Sequence, residues 1–306
     1  MMESFWKKVG EALAGEWGAR LLAPAFAFWG GGLLAWAFRY GWGSLIAWWA
    51  ARSAPEQVAL LVGGLLLVAF SAVVVEWAQD GVLRLAEGYW PRPFSGLRFA
   101  LARRWEKKVQ RMEARWQELA DRCGGDPEGH TGGVPLLSPP ERAEYARLDA
   151  LRLRLPADPG RLMPSLIGNL LRAAEEHPWV RYGLEAGVCW PRLWLLLPKE
   201  VREEVAAARG RLNEAARLMA WGLLFVVWTG WAWWAAPVGL VVAGLAWRGM
   251  VQAALVYGDL VRAAFDLYRL ALYDQLGRPR PEGEEKEAGR QLTGYLARGP
   301  APIGIR

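Results

Sequence analysis

Single charges inside long apolar segments are the residues of this chain that stand out chemically. Arg248 and Gln252 interrupt the apolar segment 237–257, and Glu76 is the one charge in the segment 57–78. An arginine at the centre of a bilayer costs at least ~2.5–3.5 kcal/mol, so its side chain has to face protein or water. Residues four apart share one face of a helix. We therefore predict that Glu76, Arg248 and Gln252 form a polar strip along a pore or ion path.

A second interpretation of Arg248 stays open on the sequence alone. Counted from Pro237, Arg248 lies ~16 Å along a helix, near the middle of a hydrocarbon core about 30 Å thick. If the span begins earlier or is short, the same side chain lies at the inner headgroups instead. Asp80, Asp259 and Arg262 are placed nearer the inner interface, where opposite charges can pair.

Side chains suited to catalysis are few and scattered. The chain has two histidines and two cysteines, and it contains none of the common phosphate-binding, dinucleotide-binding, zinc-protease or serine-hydrolase motifs. His177 and Cys189 together fall short of the four ligands of a zinc site. Tyr182, His177 and Glu185 could exchange protons, but no nucleophile accompanies them. We therefore expect no enzyme, no metal site and no cofactor.

Four apolar segments have the length needed to place these charges inside a membrane. About 20 apolar residues in a helix cross the hydrocarbon core, and 53% of the 306 residues are hydrophobic. The segments are 21–38, 57–78, 218–236 and 237–257. They predict an all-α polytopic membrane protein with four transmembrane helices in two hairpins, 21–78 and 218–258.

The distribution of arginine and lysine predicts the orientation of these hairpins. Cytoplasmic loops of membrane proteins collect both residue types. The segment 79–217 carries 23 arginines and lysines against 19 aspartates and glutamates, whereas the first hairpin loop holds Arg39 and Arg52. We therefore predict that 79–217 is a cytoplasmic helical insert and that both termini are cytoplasmic. This also accounts for the net charge of +6.

Three further segments flank the spans. Residues 1–20 combine lysines with apolar residues at helical spacing, which predicts an N-terminal amphipathic helix at the inner leaflet. Residues 259–277 continue the last span as a cytoplasmic amphipathic helix. Residues 278–306 are rich in proline, glycine and glutamate, which predicts a flexible tail.

Proline, glycine and capping residues divide the insert into helices. Two prolines in 88–94 interrupt helical structure, and a helix follows over 97–122. The segment 124–140 has the composition of a loop, and Ser138 with Glu141 forms a capping box for the next helix.

The end of the insert predicts two more helices. One starts at Arg161 and ends at His177, before Pro178. The other starts at Pro198 and continues for about 38 residues into the third span, because no strong helix breaker intervenes. Within the last span, Gly239 and Ala243 have the small-residue spacing that lets helices approach closely.

The helix predicted over 97–122 has one strongly basic face. Seven positive and two negative side chains lie between Arg98 and Arg115. The basic face is formed by Arg104, Lys108, Arg111 and Arg115. This pattern is typical of contact with anionic lipids or of a core-packing helix with a solvated face. No nucleic-acid motif accompanies it, so we expect no nucleic-acid partner.

A short segment of the insert resembles a known group of proteins. The residues are Pro164 to Asn169 (PSLIGN), Arg181-Tyr182-Gly183 and Trp190-Pro191-Arg192-Leu193. This pattern, over residues 163–197, is similar to that of bacterial polytopic membrane proteins that have no assigned activity. The resemblance implies placement in a bacterial inner membrane and implies no function or site residues.

Two classes of function follow from these observations. The first is a homo-oligomeric pore or ion channel, in which the insert forms a cytoplasmic vestibule and Glu76, Arg248 and Gln252 line the path. The second is a non-catalytic structural or accessory subunit, which binds a protein partner of a larger membrane complex through the basic, tryptophan-rich insert. The first predicts conductance, and the second predicts a stoichiometric partner.

Overall fold

The computed structural model of this chain describes residues 16–122 and 137–299. These residues are 85% helical and contain no strand, which confirms the predicted all-α class. The helices are α1 (Glu16–Tyr40), α2 (Trp42–Ala50), α3 (Ala54–Glu87), α4 (Ser95–Arg122), α5 (Pro139–Arg152), α6 (Leu166–Tyr182), α7 (Ala186–Leu196), α8 (Lys199–Phe225), α9 (Ala235–Gln275) and α10 (Glu285–Arg298). Short 3-10 turns lie at Arg92–Phe94, Pro159–Arg161 and Val226–Gly230.

The chain divides into two compact units. Of the described residues, the first unit combines 16–83 with 211–250, and the second combines 84–122, 137–210 and 251–299. The boundaries fall inside α3, α8 and α9. The second unit thus holds most of the segment predicted as an insert, together with the end of α9 and all of α10.

Within the described residues, two helical stretches are long and apolar enough to cross a membrane. They are Ala54–Arg122, whose apolar part is α3, and Ala235–Gln275, which is α9. Their most apolar parts are 17% and 28% buried, respectively, whereas the core helix of a water-soluble protein is mostly buried. In α3, every residue except Gln57 from 54 to 67 is exposed.

Small and aromatic residues form the core of the first unit. Ala25 and Ala72 are almost fully buried, and the Phe28 ring lies 5.2 Å from the Trp221 ring and 5.0 Å from the Trp228 ring, centre to centre. A side chain at Gly222 would lie 2.7 Å from the backbone nitrogen of Ala243. Helices α8 and α9 therefore meet backbone to backbone, as the predicted small-residue spacing requires.

The helix predicted to run for 38 residues from Pro198 is wrong beyond residue 225. Helix α8 ends at Phe225, a 3-10 turn occupies Val226–Gly230, and α9 begins at Ala235. Two valines, a threonine and a glycine follow one another closely here, and all have lower helix propensity than alanine. The turn between the last two apolar segments therefore comes earlier than the sequence predicts.

Local capping decides the helix boundaries in the second unit. The capping box of Ser138 and Glu141 is present, as predicted. Helix α6 begins at Leu166 rather than at Arg161 because Ser165 caps it. It continues through Pro178, contrary to prediction, and ends at Tyr182.

The end of α6 is set by a glycine. Gly183 has φ +71°, in the left-handed region, and its amide donates to the carbonyl of Trp179. Pro178 lacks one amide near the end of the helix, so the helix loses one hydrogen bond there without breaking.

The prediction of a flexible tail from residue 278 is wrong for residues 285–298. These form α10, in which Leu292 and Thr293 are buried. A Cβ at Gly289 would lie 1.8 Å from the carbonyl oxygen of Tyr182, so α10 contacts the end of α6 directly. The predicted N-terminal helix and the loop over 124–140 fall largely outside the described residues.

Candidate functional site

The second unit contains a cleft of about 610 Å³ lined by charged and aromatic side chains. We call it the charged cleft. Its charged members are Glu87, Arg161, Arg172, Glu175, Glu176, Glu185 and Arg209, and its aromatic members are Tyr89, Trp179, Trp190, Tyr257 and Phe265. Helix α6 contributes the largest share of the lining residues, and neighbouring helices and loops supply the others.

The segment PSLIGN positions one side of the charged cleft. The hydroxyl of Ser165 donates to the carbonyl oxygen of Glu87 at 2.9 Å and accepts from the amide of Gly168 at 2.9 Å. A Cβ at Gly168 would lie 2.0 Å from that same carbonyl oxygen. Glycine is therefore required where the start of α6 meets the end of α3.

Asn169 fixes the loop that precedes α6. Its side chain is completely buried, accepts from the amide of Met163 at 2.7 Å and donates to the carbonyl of the same residue at 3.0 Å. A buried amide side chain is stable here because both of its ends are hydrogen-bonded. The glycine and the asparagine of the resembling segment thus serve packing and loop geometry.

A buried carboxylate lies between two arginines in the charged cleft. Glu176 is 5% exposed and pairs with Arg161 at 3.1 Å and with Arg172 at 3.3 Å. Burial raises the pKa of Glu176, although both guanidinium charges act in the opposite direction. With the carboxylate ionised, this triad carries a net positive charge.

A second charged group lies around Glu87. Burial raises the pKa of its carboxyl group, the Arg209 charge acts to lower it, and the Glu175 charge acts to raise it. The guanidinium carbon of Arg209 lies 5.8 Å from the centre of the Tyr257 ring. Among the described residues, neither Glu87 nor Arg209 forms an ion pair.

Another polar network in the second unit joins α6, α9 and α10. Asp266 accepts from the hydroxyl of Tyr182 at 2.6 Å and lies 2.9 Å from Nε2 of His177. Burial acts to raise the pKa of Asp266, but these two hydrogen bonds lower it overall. Arg269 lies 4.0 Å over the Tyr182 ring and pairs with Glu285 at 2.6 Å.

His177 and Cys189 have separate partners. Whereas His177 binds Asp266, Sγ of Cys189 lies 3.9 Å from the hydroxyl of Thr293. Burial raises the pKa of the Cys189 thiol. Thr293 also accepts from the amide of Glu185 at 3.1 Å, so these residues hold α10 in place.

In the first unit, the partner of Glu76 is Arg217. The two side chains form an ion pair and are 26% and 16% exposed. The sequence contains a signal for this pair. Glu76 lies near the end of the predicted span 57–78 and Arg217 directly precedes the predicted span 218–236, so both residues lie next to the boundaries of the segment 79–217. The prediction from the sequence did not pair them. Arg248 is exposed on α9, on the same face as the exposed residues Val241 and Leu245.

Gln252 of the predicted polar strip and the predicted interface charges have different surroundings. Gln252 and Asp80 are exposed. Asp259 pairs with Arg262 at 2.8 Å and with Arg154 at 3.3 Å. Burial lowers the pKa of Arg262.

The basic face of α4 is divided. Arg104, Lys108 and Arg111 are exposed, and the Lys108 ammonium lies 4.6 Å from the Trp105 ring centre. Arg115 instead pairs with Glu144 at 2.8 Å and with Glu118 at 2.9 Å. Arg115 therefore connects α4 to α5.

No family model, curated protein or solved structure matches this chain.

Proposed function

We propose that this chain is a polytopic protein of a bacterial inner membrane, with four spans in two hairpins and both termini in the cytoplasm. The exposed apolar surface of α3 supports this proposal. Phe70 and Trp77 are 68% and 80% exposed, and Leu61 and Leu66 are 63% and 64% exposed. Apolar area of this extent is stable in lipid and costs about 25 cal/mol per Å² in water.

Within that membrane, the chain assembles as a homo-oligomer around a pore. The exposure of Arg248 carries this proposal. Its neighbours Val241 and Leu245 on the same face are each 61% exposed. A single copy would place the guanidinium in hydrocarbon, whereas several copies arranged around a water-filled path would hydrate it. Glu76 does not offset this charge, because Arg217 pairs with it.

Bilayer recordings of the purified protein test the pore. The substitution Arg248→Glu reverses a charge of the path, so we expect ion selectivity to change and the reversal potential in a salt gradient to shift. Arg39→Glu is the matched control, because Arg39 is also exposed but lies at the end of α1. An unchanged reversal potential in a channel that conducts would exclude Arg248 from the path.

The accessory-subunit function is the second candidate, and the basic face of α4 favours it. Arg104 and Arg111 are exposed and form no ion pair with another described residue. They are available to anionic lipids or to an acidic protein partner. Native mass spectrometry of protein extracted from its own membrane separates the candidates. A closed homo-oligomer supports the pore, and one copy bound to a different subunit supports the accessory function.

A further inference from the structure

The charged cleft contains charges of both signs, which are distributed unevenly. Three arginines and four glutamates line it. Arg161 and Arg172 share the buried Glu176, and we call these three residues the positive sub-region. Glu87, which forms no ion pair with another described residue, and the exposed Glu175 make up the negative sub-region, although Glu175 also lies 3.6 Å from Arg172 and the Arg209 charge acts on Glu87.

The positive sub-region has hydrogen-bond donors to spare. The side chains of Arg161 and Arg172 are 43% and 31% exposed, and each guanidinium has five N–H groups. Their common partner, Glu176, is nine-tenths buried and cannot accept from all of these donors. Paired guanidinium groups favour the planar or tetrahedral oxygens of carboxylate or phosphate.

The negative sub-region has acceptors to spare. The side chain of Glu175 is 62% exposed and contacts Arg172 only at 3.6 Å. The Glu87 carboxylate and the Tyr257 ring lie at the same part of the cavity, where Arg209 and Glu175 act on both. Arg209 already lies over the Tyr257 ring, 5.8 Å from its centre, so the two carboxylates are the groups available to bind an ammonium ion here.

We propose that the charged cleft binds a small zwitterion with a phosphate or carboxylate group at one end and an ammonium group at the other. An anion alone would meet the repulsion of Glu87 and Glu175, and a cation alone would meet that of Arg161 and Arg172. A zwitterion satisfies both sub-regions together. The volume of about 610 Å³ lies within the usual range of ~300–1,000 Å³ for small-molecule sites.

Phosphoethanolamine is a suitable probe because it carries both charges on one short chain. Isothermal titration calorimetry of the full-length protein in detergent would compare it with its two halves, ethanolamine and inorganic phosphate. We expect phosphoethanolamine to bind at least tenfold more tightly than either half. Equal binding of phosphate alone would overturn the zwitterion proposal, as would the absence of binding in both this titration and the lipid experiment below.

Two variants locate binding in the charged cleft. Arg161→Gln removes a donor of the positive sub-region, and Glu87→Gln removes the unpaired carboxylate; each should weaken binding at least fivefold. Arg147→Gln and Glu282→Gln are the matched controls, since both side chains are exposed, lie outside the cleft and form no ion pair with another described residue. Wild-type affinity in both cleft variants would overturn the proposal.

Glu87→Gln keeps this test decisive if the arginine variant fails to fold. The Glu87 carboxylate forms no ion pair or hydrogen bond with another described residue, so its loss breaks no such contact. Thermal unfolding of each variant separates a lost ligand contact from a lost fold.

The same zwitterion occurs free in water and as the headgroup of phosphatidylethanolamine. Native mass spectrometry with added phosphatidylethanolamine, and with phosphatidylglycerol as control, distinguishes the two sources. Retention of phosphatidylethanolamine that free phosphoethanolamine displaces assigns the site to the lipid. Binding of the free molecule without lipid retention assigns it to a soluble ligand. This measurement requires no conductance, so it stands or falls separately from the pore.

Discussion

Each of the two units contains a cleft, and the two clefts have similar volumes but opposite chemistry. The cleft of the first unit measures about 550 Å³, compared with about 610 Å³ for the charged cleft. The first is lined by tryptophans, namely Trp29, Trp36, Trp48, Trp228 and Trp231, with one hydroxyl from Ser44. The second is lined by seven ionisable glutamates and arginines together with aromatic rings.

This difference favours different surroundings for the two units. In the first unit, many large apolar side chains remain exposed. In the second unit, the one charged side chain that is buried among the described residues, Glu176, lies between two arginines. Low dielectric makes an unpaired buried charge expensive, so pairing is a condition for burial. The following predictions test that contrast.

The largest effect is expected where helix backbones touch. Gly168→Ala in the second unit places a methyl group 2.0 Å from a carbonyl oxygen, and we expect a loss of about 2–3 kcal/mol in the free energy of unfolding. Gly222→Ala in the first unit, at 2.7 Å from a backbone nitrogen, should cost less. Thermal unfolding in one detergent compares them.

The control for both substitutions is Gly187→Ala on α7, where no atom lies within 4 Å of the added Cβ. It should leave the melting temperature unchanged or raise it slightly, because alanine favours helix. If Gly168→Ala left the melting temperature as little changed as this control does, α6 and the end of α3 would not be in close contact.

The second prediction concerns one ion pair from each unit. Glu76→Gln in the first unit leaves Arg217 without its partner and should cost ~1–2 kcal/mol. Glu113→Gln in the second unit breaks the 2.8 Å pair with Arg152, whose side chains are 36% and 32% exposed, and should cost less than ~1 kcal/mol.

A double substitution distinguishes pairing from a general loss of packing. Glu76→Gln combined with Arg217→Gln should recover part of the stability, because no unpaired charge remains. If the double variant were less stable than Glu76→Gln alone, the ion pair would not be the reason for the loss. Both are measured by thermal unfolding under identical conditions.

The sequence predicts local features of this fold well. The break after Glu87 and the capping box at Ser138 both depend on residues close in sequence. Each can be derived from hydrogen-bonding groups and side-chain spacing within one or two helical turns. The all-α class follows in the same way from the periodicity of apolar residues.

Features that depend on distant residues were missed. The partner of Glu76 lies 141 residues away, and Ser165 contacts the carbonyl of Glu87 across 78 residues. The order of α10 depends on the contact between Gly289 and Tyr182, which no local pattern reveals. The charged cleft is assembled from residues 87 to 265, so its lining cannot be read from any one segment.

The smallest effect is expected at two capping glutamates, one in each unit. Glu141 accepts from the hydroxyl and amide of Ser138 and pairs with Arg122, which lowers its pKa to about 2. In the first unit, Glu56 accepts from Ser53 in the same manner, and its pKa is also lowered. Glu56 is exposed and Glu141 is only partly buried, so each contribution to stability is small.

The sign of the pH dependence follows from the lowered pKa. The Glu141 cap stabilises the folded state above the unfolded pKa of ~4.3 and is lost as the pH falls towards about 2. Pro139 and Pro140 carry no amide proton, so the probes are the amides of Glu141 and Arg142 at the start of α5. Their hydrogen exchange, corrected for intrinsic rates, should therefore quicken between pH 4 and pH 2 in the wild type. Glu141→Gln should exchange faster at pH 7 and lose most of that dependence. If Glu141→Gln exchanged at the wild-type rate at pH 7, the cap would contribute nothing to stability. Faster exchange at the start of α3 in Glu56→Gln would show that the cap of the first unit acts in the same way.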